Sequence, residues 1–137
     1  MITKKGWECY MCIFCSQIDK KQILRESNDF FLVLDINPNQ IGHLLIISKK
    51  HYESLEDIPD LVLLDELKFE KEIVGILKEN FDILDVTIFQ NNGLTMDEGV
   101  HFHKHIIPRY KEDGFWDNFH VKEVHMDLEK LSLVLKK

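Results

Sequence analysis

Residues 101–107 read His-Phe-His-Lys-His-Ile-Ile, and no other stretch limits the fold so tightly. The histidines recur with a period of two, which is the period of a β-strand. On a strand His101, His103 and His105 form one row, roughly 6–7 Å apart per step, while Phe102, Lys104 and Ile106 face the other side. Three imidazoles in a row are poor core filling, because each brings a polar nitrogen that needs a partner. From the residues alone three readings stay open: a surface stripe of histidines, a metal site, or an array of nucleophile and acid/base groups.

The rest of the chain reads as a sheet and helices around that strand. Segments 29–35 (DFFLVLD) and 43–48 (HLLIIS) have the apolar, β-branched and aromatic content of strands, and INPNQIGH (36–43) supplies turn residues between them. Leu61, Leu64, Leu67, Ile73, Ile76 and Leu77 recur at three- and four-residue spacing, which predicts a helix over 60–79 with Asp57 or Asp60 as N-cap. Residues 83–90 read as a third strand, 91–99 as a loop, and 100–108 as a fourth strand ended by Pro108. Shorter helices are expected at 13–24 and in the tail from 122, where Val124, Leu128, Leu131 and Leu135 keep helical spacing. This pattern is α+β: an antiparallel sheet with one long helix and shorter ones. With 137 residues, no internal repeat and no Pro/Gly/Ser linker, the chain reads as a single domain over 1–137.

Composition narrows the function. Hydrophobic residues make up 45% and charged residues 30%, which excludes disorder as the main state. No apolar run approaches the ~18 residues of a membrane span, and no continuous apolar stretch comes after the first lysines, so a secretory signal is not expected. A formal charge of −7 argues against binding nucleic acid or an anionic membrane. Any phosphate chemistry must then rely on local groups: histidines, backbone N–H groups or a metal.

Cys9, Cys12 and Cys15 all lie within seven residues. That crowding argues for metal ligation or plain burial rather than a disulfide framework, in a reducing, cytoplasmic setting. Cys12 and Cys15 have the spacing of two ligands on one tetrahedral Zn²⁺, with two more ligands needed from elsewhere. Cys9 and Cys12 offer a competing register, and His51 and one of the row histidines are available as the remaining ligands.

Taken together, these segments resemble the histidine-triad (HIT) family. His101 to Ile107 matches its signature of histidines alternating with apolar residues, with Lys104 as the departure. Pro108-Arg109-Tyr110 is similar to the Pro-Arg continuation of that signature. Cys12-Ile13-Phe14-Cys15 resembles the family's zinc-bearing N-terminus. Leu34 to Pro38, then Gly42-His43-Leu44-Leu45 through His51, is similar to its nucleotide-pocket hairpin, and Asn91-Asn92-Gly93 resembles the loop before the triad.

The resemblance implies an antiparallel sheet with a long helix, and a homodimer that joins two sheets. It implies hydrolysis or transfer on dinucleoside polyphosphates or nucleoside phosphoramidates. In that chemistry His103 attacks the α-phosphorus to form a covalent nucleotidyl-histidine. His105, one step along the same face, can donate to the phosphoryl oxygens. The resemblance also implies a structural zinc held by Cys12, Cys15, His51 and His101, which leaves Cys9 spare. Phe14, Ile18 and Leu34 become walls for the base, Asp35 an acceptor for ribose hydroxyls, and Asn91 a group of the phosphate loop.

One segment departs from the pattern. Met96-Asp97-Glu98-Gly99 stands where a Gly-Gln element is usual, and only ten residues separate Asn91 from His101. Two acids beside a phosphate site disfavour an anionic substrate, so they either point away or favour a substrate with a cationic leaving group. Two competing readings are a non-catalytic nucleotide-binding module and a metal-dependent hydrolase that uses His101, His103 and His105 as ligands.

Overall fold

The two periodicities of the sequence become one sheet with a helix laid across it. The computed structural model describes residues 12–136, so Cys9 lies outside the described residues. The strands are β1 (Arg25–Glu26), β2 (Phe30–Leu34), β3 (Leu44–Ser48), β4 (Asp85–Phe89) and β5 (His103–Arg109). They form one antiparallel sheet in the order β1-β2-β3-β5-β4. The helices are α1 (Ile13–Ser16), α2 (Asp60–Asn80) and α3 (Leu128–Leu135). The expected α+β class, antiparallel sheet and long helix are all present.

Alternation along each strand divides the core in two. Phe30, Leu32, Leu44, Ile46, Phe102 and Ile106 pack with Phe69 and Ile73 of α2 on one face of the sheet. Phe31, Val33, Leu45 and Ile47 face the opposite way, covered in part by Phe14 and Ile18 of the N-terminal segment. Directly paired residues share a face. The register Leu45↔His105 and Ile47↔His103 therefore puts both histidines on the second face.

Several boundaries differ from expectation, each for a local reason. The strand begins at His103 rather than Val100 and runs through Pro108 to Arg109. Before it, Phe102 donates its N–H to the Tyr52 carbonyl at 2.7 Å, beyond the end of β3. Pro108 is tolerated because pairing on the β3 side stops at Leu44↔Ile106, where a missing N–H breaks no ladder bond. It packs there against Gly42, where a φ of +87° favours glycine and an added Cβ would meet the proline ring at 3.1 Å.

The N-cap of α2 is Pro59, with Asp60 inside the first turn and Asp57 in a separate 3₁₀ turn. The buried stripe of α2 runs through Glu66, Phe69 and Ile73, whereas Leu61, Leu64 and Leu67 are exposed. The helix carries apolar residues on two stripes, and the sheet covers the other one. The expected 13–24 helix breaks after Ser16, because Asp19 accepts from Lys21 N–H and restarts the chain as a 3₁₀ turn. The tail helix starts only at Leu128, where the Asp127 carboxylate caps Lys130 N–H at 3.0 Å. The two-residue strand β1 carries no alternation that a sequence could reveal.

Candidate active site and metal-ligand cluster

Hydrogen bonds assign the proton positions of the three row histidines: His103 carries its proton on Nδ1, and His101 and His105 carry theirs on Nε2. The His103 ring is 6% exposed, and its Nδ1 lies 2.7 Å from the His101 carbonyl. A carbonyl only accepts, so Nδ1 carries the proton and Nε2 holds the lone pair. Nε2 makes no hydrogen bond among the described residues. Burial lowers the pKa of His103, while its hydrogen bond to the His101 carbonyl and the Asp35 and Asp97 carboxylates pull the other way. The result is a neutral, oriented imidazole with a free nitrogen. Phe14 packs edge-on against the ring at 5.0 Å and keeps it in place.

His105 has the opposite tautomer. The Asn39 backbone N–H donates to His43 Nδ1 at 3.1 Å, so the proton of a neutral His43 sits on Nε2. His43 Nε2 lies 2.8 Å from His105 Nδ1 and 3.3 Å from Asp35 Oδ2. His105 Nδ1 is thus the acceptor, and its own proton is on Nε2. Phe89, directly opposite on β4, stacks on the ring at 4.2 Å. Burial and the neighbouring His103 and His43 push His105 down to about 4, and burial lowers His43 as well.

His101 turns away from this pair. Its Nε2 donates to the Ser48 carbonyl at 2.6 Å, which directs Nδ1 at Cys12 Sγ (3.3 Å) and Cys15 Sγ (3.4 Å). His51 Nδ1 lies 3.1 Å from Cys15 Sγ, with its Nε2 3.6 Å from Glu53. The ligand atoms of Cys12, Cys15, His51 and His101 lie within 4.8 Å of one another. Two thiols and two imidazoles at these separations match the edges of a tetrahedral zinc site with bonds of about 2.0–2.3 Å. Both histidines also engage their second nitrogen, as metal-bound imidazoles do. Burial pushes His101 down to about 4, which keeps it neutral.

The row histidines do not converge on one ion. Among the described residues His101 groups with the cysteines, His105 groups with His43 and Asp35, and His103 belongs to neither set. The second set is committed to hydrogen bonds, because a metal at His43 Nε2 would displace the proton that Asn39 fixes there.

His103 and His105 open into a cleft of about 600 Å³. Phe14, Ile18, Leu34, Asp35 and Asn91, the residues expected to meet a nucleotide, all line it. Asp35 has one oxygen bound to Asn37 N–H and the other beside His43, so its carboxylate also orders the hairpin. Asn92 points elsewhere: its side chain accepts from Leu55 N–H at 2.7 Å and donates to Glu56, tying the loop to the segment before α2. Asp97 and Glu98 line the cleft rather than pointing away.

Sequence reasoning missed His43 as a working residue. A signal was present, since a histidine opens an otherwise apolar strand and its side chain is 1% exposed. It also missed the partners of Lys104, whose ammonium lies 2.9 Å from Glu66 and 3.0 Å from Glu70 on the α2 side. His120 and His125 are exposed.

Comparison with known proteins agrees with this geometry. Residues 16–112 match the model of the HIT domain. A HIT-like protein of Methanocaldococcus jannaschii is 41% identical over 123 residues, covering 85% of this chain and 94% of its own. An adenosine 5'-monophosphoramidase of Saccharomyces cerevisiae is 38% identical over 107 residues, covering 74% of this chain and 64% of its own. The crystal structure of a Zn-bound histidine triad family protein from Mycobacterium smegmatis superposes with a TM-score of 0.67 at 25% identity, over 93% of this chain and 92% of that one. With the family model matched over most of its length and a HIT-like relative 41% identical over 85% of it, this chain belongs to the HIT domain family.

Proposed function

We propose that this protein is a nucleotide hydrolase or transferase that cleaves nucleoside phosphoramidates or dinucleoside polyphosphates through a covalent nucleotidyl-histidine at His103. The observation that carries the reading is the His103 tautomer: Nδ1–H is held by the His101 carbonyl, and a lone pair on Nε2 is left toward the cleft. A relative named as an adenosine 5'-monophosphoramidase supports it.

The chemistry follows from the two tautomers. Nε2 of His103 forms a bond to the α-phosphorus as the bond to the leaving group breaks. The leaving group departs with that electron pair and takes up a solvent proton, relayed through the Nε2–H of His105. Water then adds to phosphorus, the bond to His103 breaks with its pair returning to Nε2, and the surplus proton passes to solvent. Between these events the Nε2–H of His105 donates to a phosphoryl oxygen. Phe14, Ile18 and Leu34 face the base, Asp35 accepts from the ribose, and Asn91 meets the phosphate.

Cys12, Cys15, His51 and His101 would hold Zn²⁺ with all four positions filled by protein, which makes it structural. It would brace the residue two positions before His103 and so steady the β5 start, and thiolate ligands suit a reducing, cytoplasmic setting. A homodimer belongs to the same reading, since β4 is an edge of the sheet with only β5 beside it; sedimentation at micromolar concentration checks it.

The test incubates the protein with an adenosine phosphoramidate and with a diadenosine polyphosphate, following AMP release with and without EDTA. Release that survives EDTA, with a protein-bound nucleotidyl adduct trapped by rapid quench, is expected. Release abolished by EDTA while the fold persists would revive the metal-hydrolase reading. Nucleotide binding without any release would identify a binding module.

A further inference from the structure

The cleft that holds His103 is lined by acids. Asp97 and Glu98 line it together with Asp35, and among the described residues no lysine or arginine does. The two acids are held in place rather than carried on a free loop. Gly93 N–H donates to the Glu53 carbonyl at 3.0 Å, and the Gly99 carbonyl accepts from Ile13 N–H at 2.7 Å, so the segment between is pinned at both ends. Gly99 takes a φ of +80°, a left-handed turn that glycine adopts freely. The reacting group of that cleft is the His103 imidazole. That imidazole is itself buried and aimed into the same cleft, and its Nε2 has no partner among the described residues.

We propose that Asp97 and Glu98 select the leaving group: the preferred substrates are nucleoside phosphoramidates whose departing amine carries a second, positively charged nitrogen. This rests on the reading of His103 as nucleophile and separates the two substrate classes that reading leaves open. A dinucleoside polyphosphate departs as a polyanion, which these carboxylates repel with no lysine or arginine among the described residues of the cleft to compensate. A phosphoramidate of a diamine departs as an amine, taking the electron pair of the P–N bond and a proton, and its distal ammonium is attracted throughout. The base and ribose subsites at Phe14, Ile18 and Asp35 are common to both classes, so discrimination falls to the leaving-group end.

Exposed carboxylates act through water, so each contributes a few-fold and the pair roughly tenfold. The experiment compares two adenosine 5'-phosphoramidates of equal tail length, one ending in a methyl group and one in an ammonium, by kcat/KM. The wild-type protein should favour the ammonium substrate roughly tenfold at low salt, with the ratio shrinking as ionic strength rises. Asp97→Asn with Glu98→Gln should bring the ratio toward one and speed diadenosine polyphosphate cleavage relative to phosphoramidate. Glu98→Lys should invert the preference. A wild-type ratio near one, or a ratio that survives both carboxamide substitutions, overturns the proposal while leaving the nucleophile assignment intact. Absence of turnover with either phosphoramidate overturns both.

Discussion

The two faces of β5 bury ionisable groups on consecutive residues and handle them in opposite ways. On the cleft face His103 and His105 shed their charge: burial lowers both, and each tautomer is fixed by one hydrogen bond. On the helix face Lys104 keeps its charge. Burial works against the ammonium, but the Glu66 and Glu70 carboxylates outweigh it and raise its pKa. The cost moves to Glu66, which is 2% exposed, has one oxygen without a hydrogen bond, and is pushed up to about 7, mainly by burial. A neutral imidazole is what a nucleophile needs, whereas a cluster of two carboxylates and one ammonium ties the strand to α2. Chemistry on one face and anchoring on the other therefore share a strand without sharing charge.

The contrast can be broken at four points. His103→Ala removes the imidazole nitrogen assigned to attack, and AMP release should fall by about 10⁴-fold or more with the circular dichroism unchanged. Wild-type turnover in that variant would end the assignment. On the opposite face Lys104→Met strands the buried Glu66 carboxylate and the half-buried Glu70 and should cost about 3–5 kcal/mol in chemical denaturation. Adding Glu66→Leu should recover much of that loss, and no recovery would show that the pairing is not its source.

A third test uses pH. Because the folded-state pKa of Glu66 lies above its unfolded value of 4.5, the native protein holds a proton that the unfolded chain has released. Stability should therefore fall as pH rises from about 4.5 to about 7, by about 3 kcal/mol at most. Glu66→Gln should flatten this slope, as read from denaturation midpoints across the range. The smallest effect is expected at His43→Ala, which frees His105 from its imposed tautomer. Turnover should drop about tenfold, and nitrogen NMR should show the His105 proton shared between both ring positions.

The Asp97–Glu98 loop and the Cys/His cluster show how far linear reading reached. Spacing brought Cys12 and Cys15 into one candidate site with His51 and a row histidine available, and the resemblance singled out His101; the four ligand atoms do meet. The acids at 97 and 98 stood out as a departure, yet only the pinned loop shows that they face the cleft. Helix α2 was legible in length but not in orientation. Of the residues whose spacing predicted it, Ile73 is buried against the sheet while Leu61, Leu64 and Leu67 are exposed, and Glu66 and Phe69 complete the buried stripe.

What the sequence determined by itself is the part governed by local stereochemistry: the strand period that sets His103 and His105 on one face, the helix over 60–80, and the family pattern. Tertiary structure alone decided which nitrogen of each histidine carries the proton, that His43 meets His105 across 62 residues of chain, and that Lys104 finds two carboxylates on α2. The physical reason is reach. Alternation and helical spacing are properties of neighbouring residues, whereas a tautomer or a buried charge is settled by whichever donor or acceptor the strand register and helix packing bring within about 3 Å.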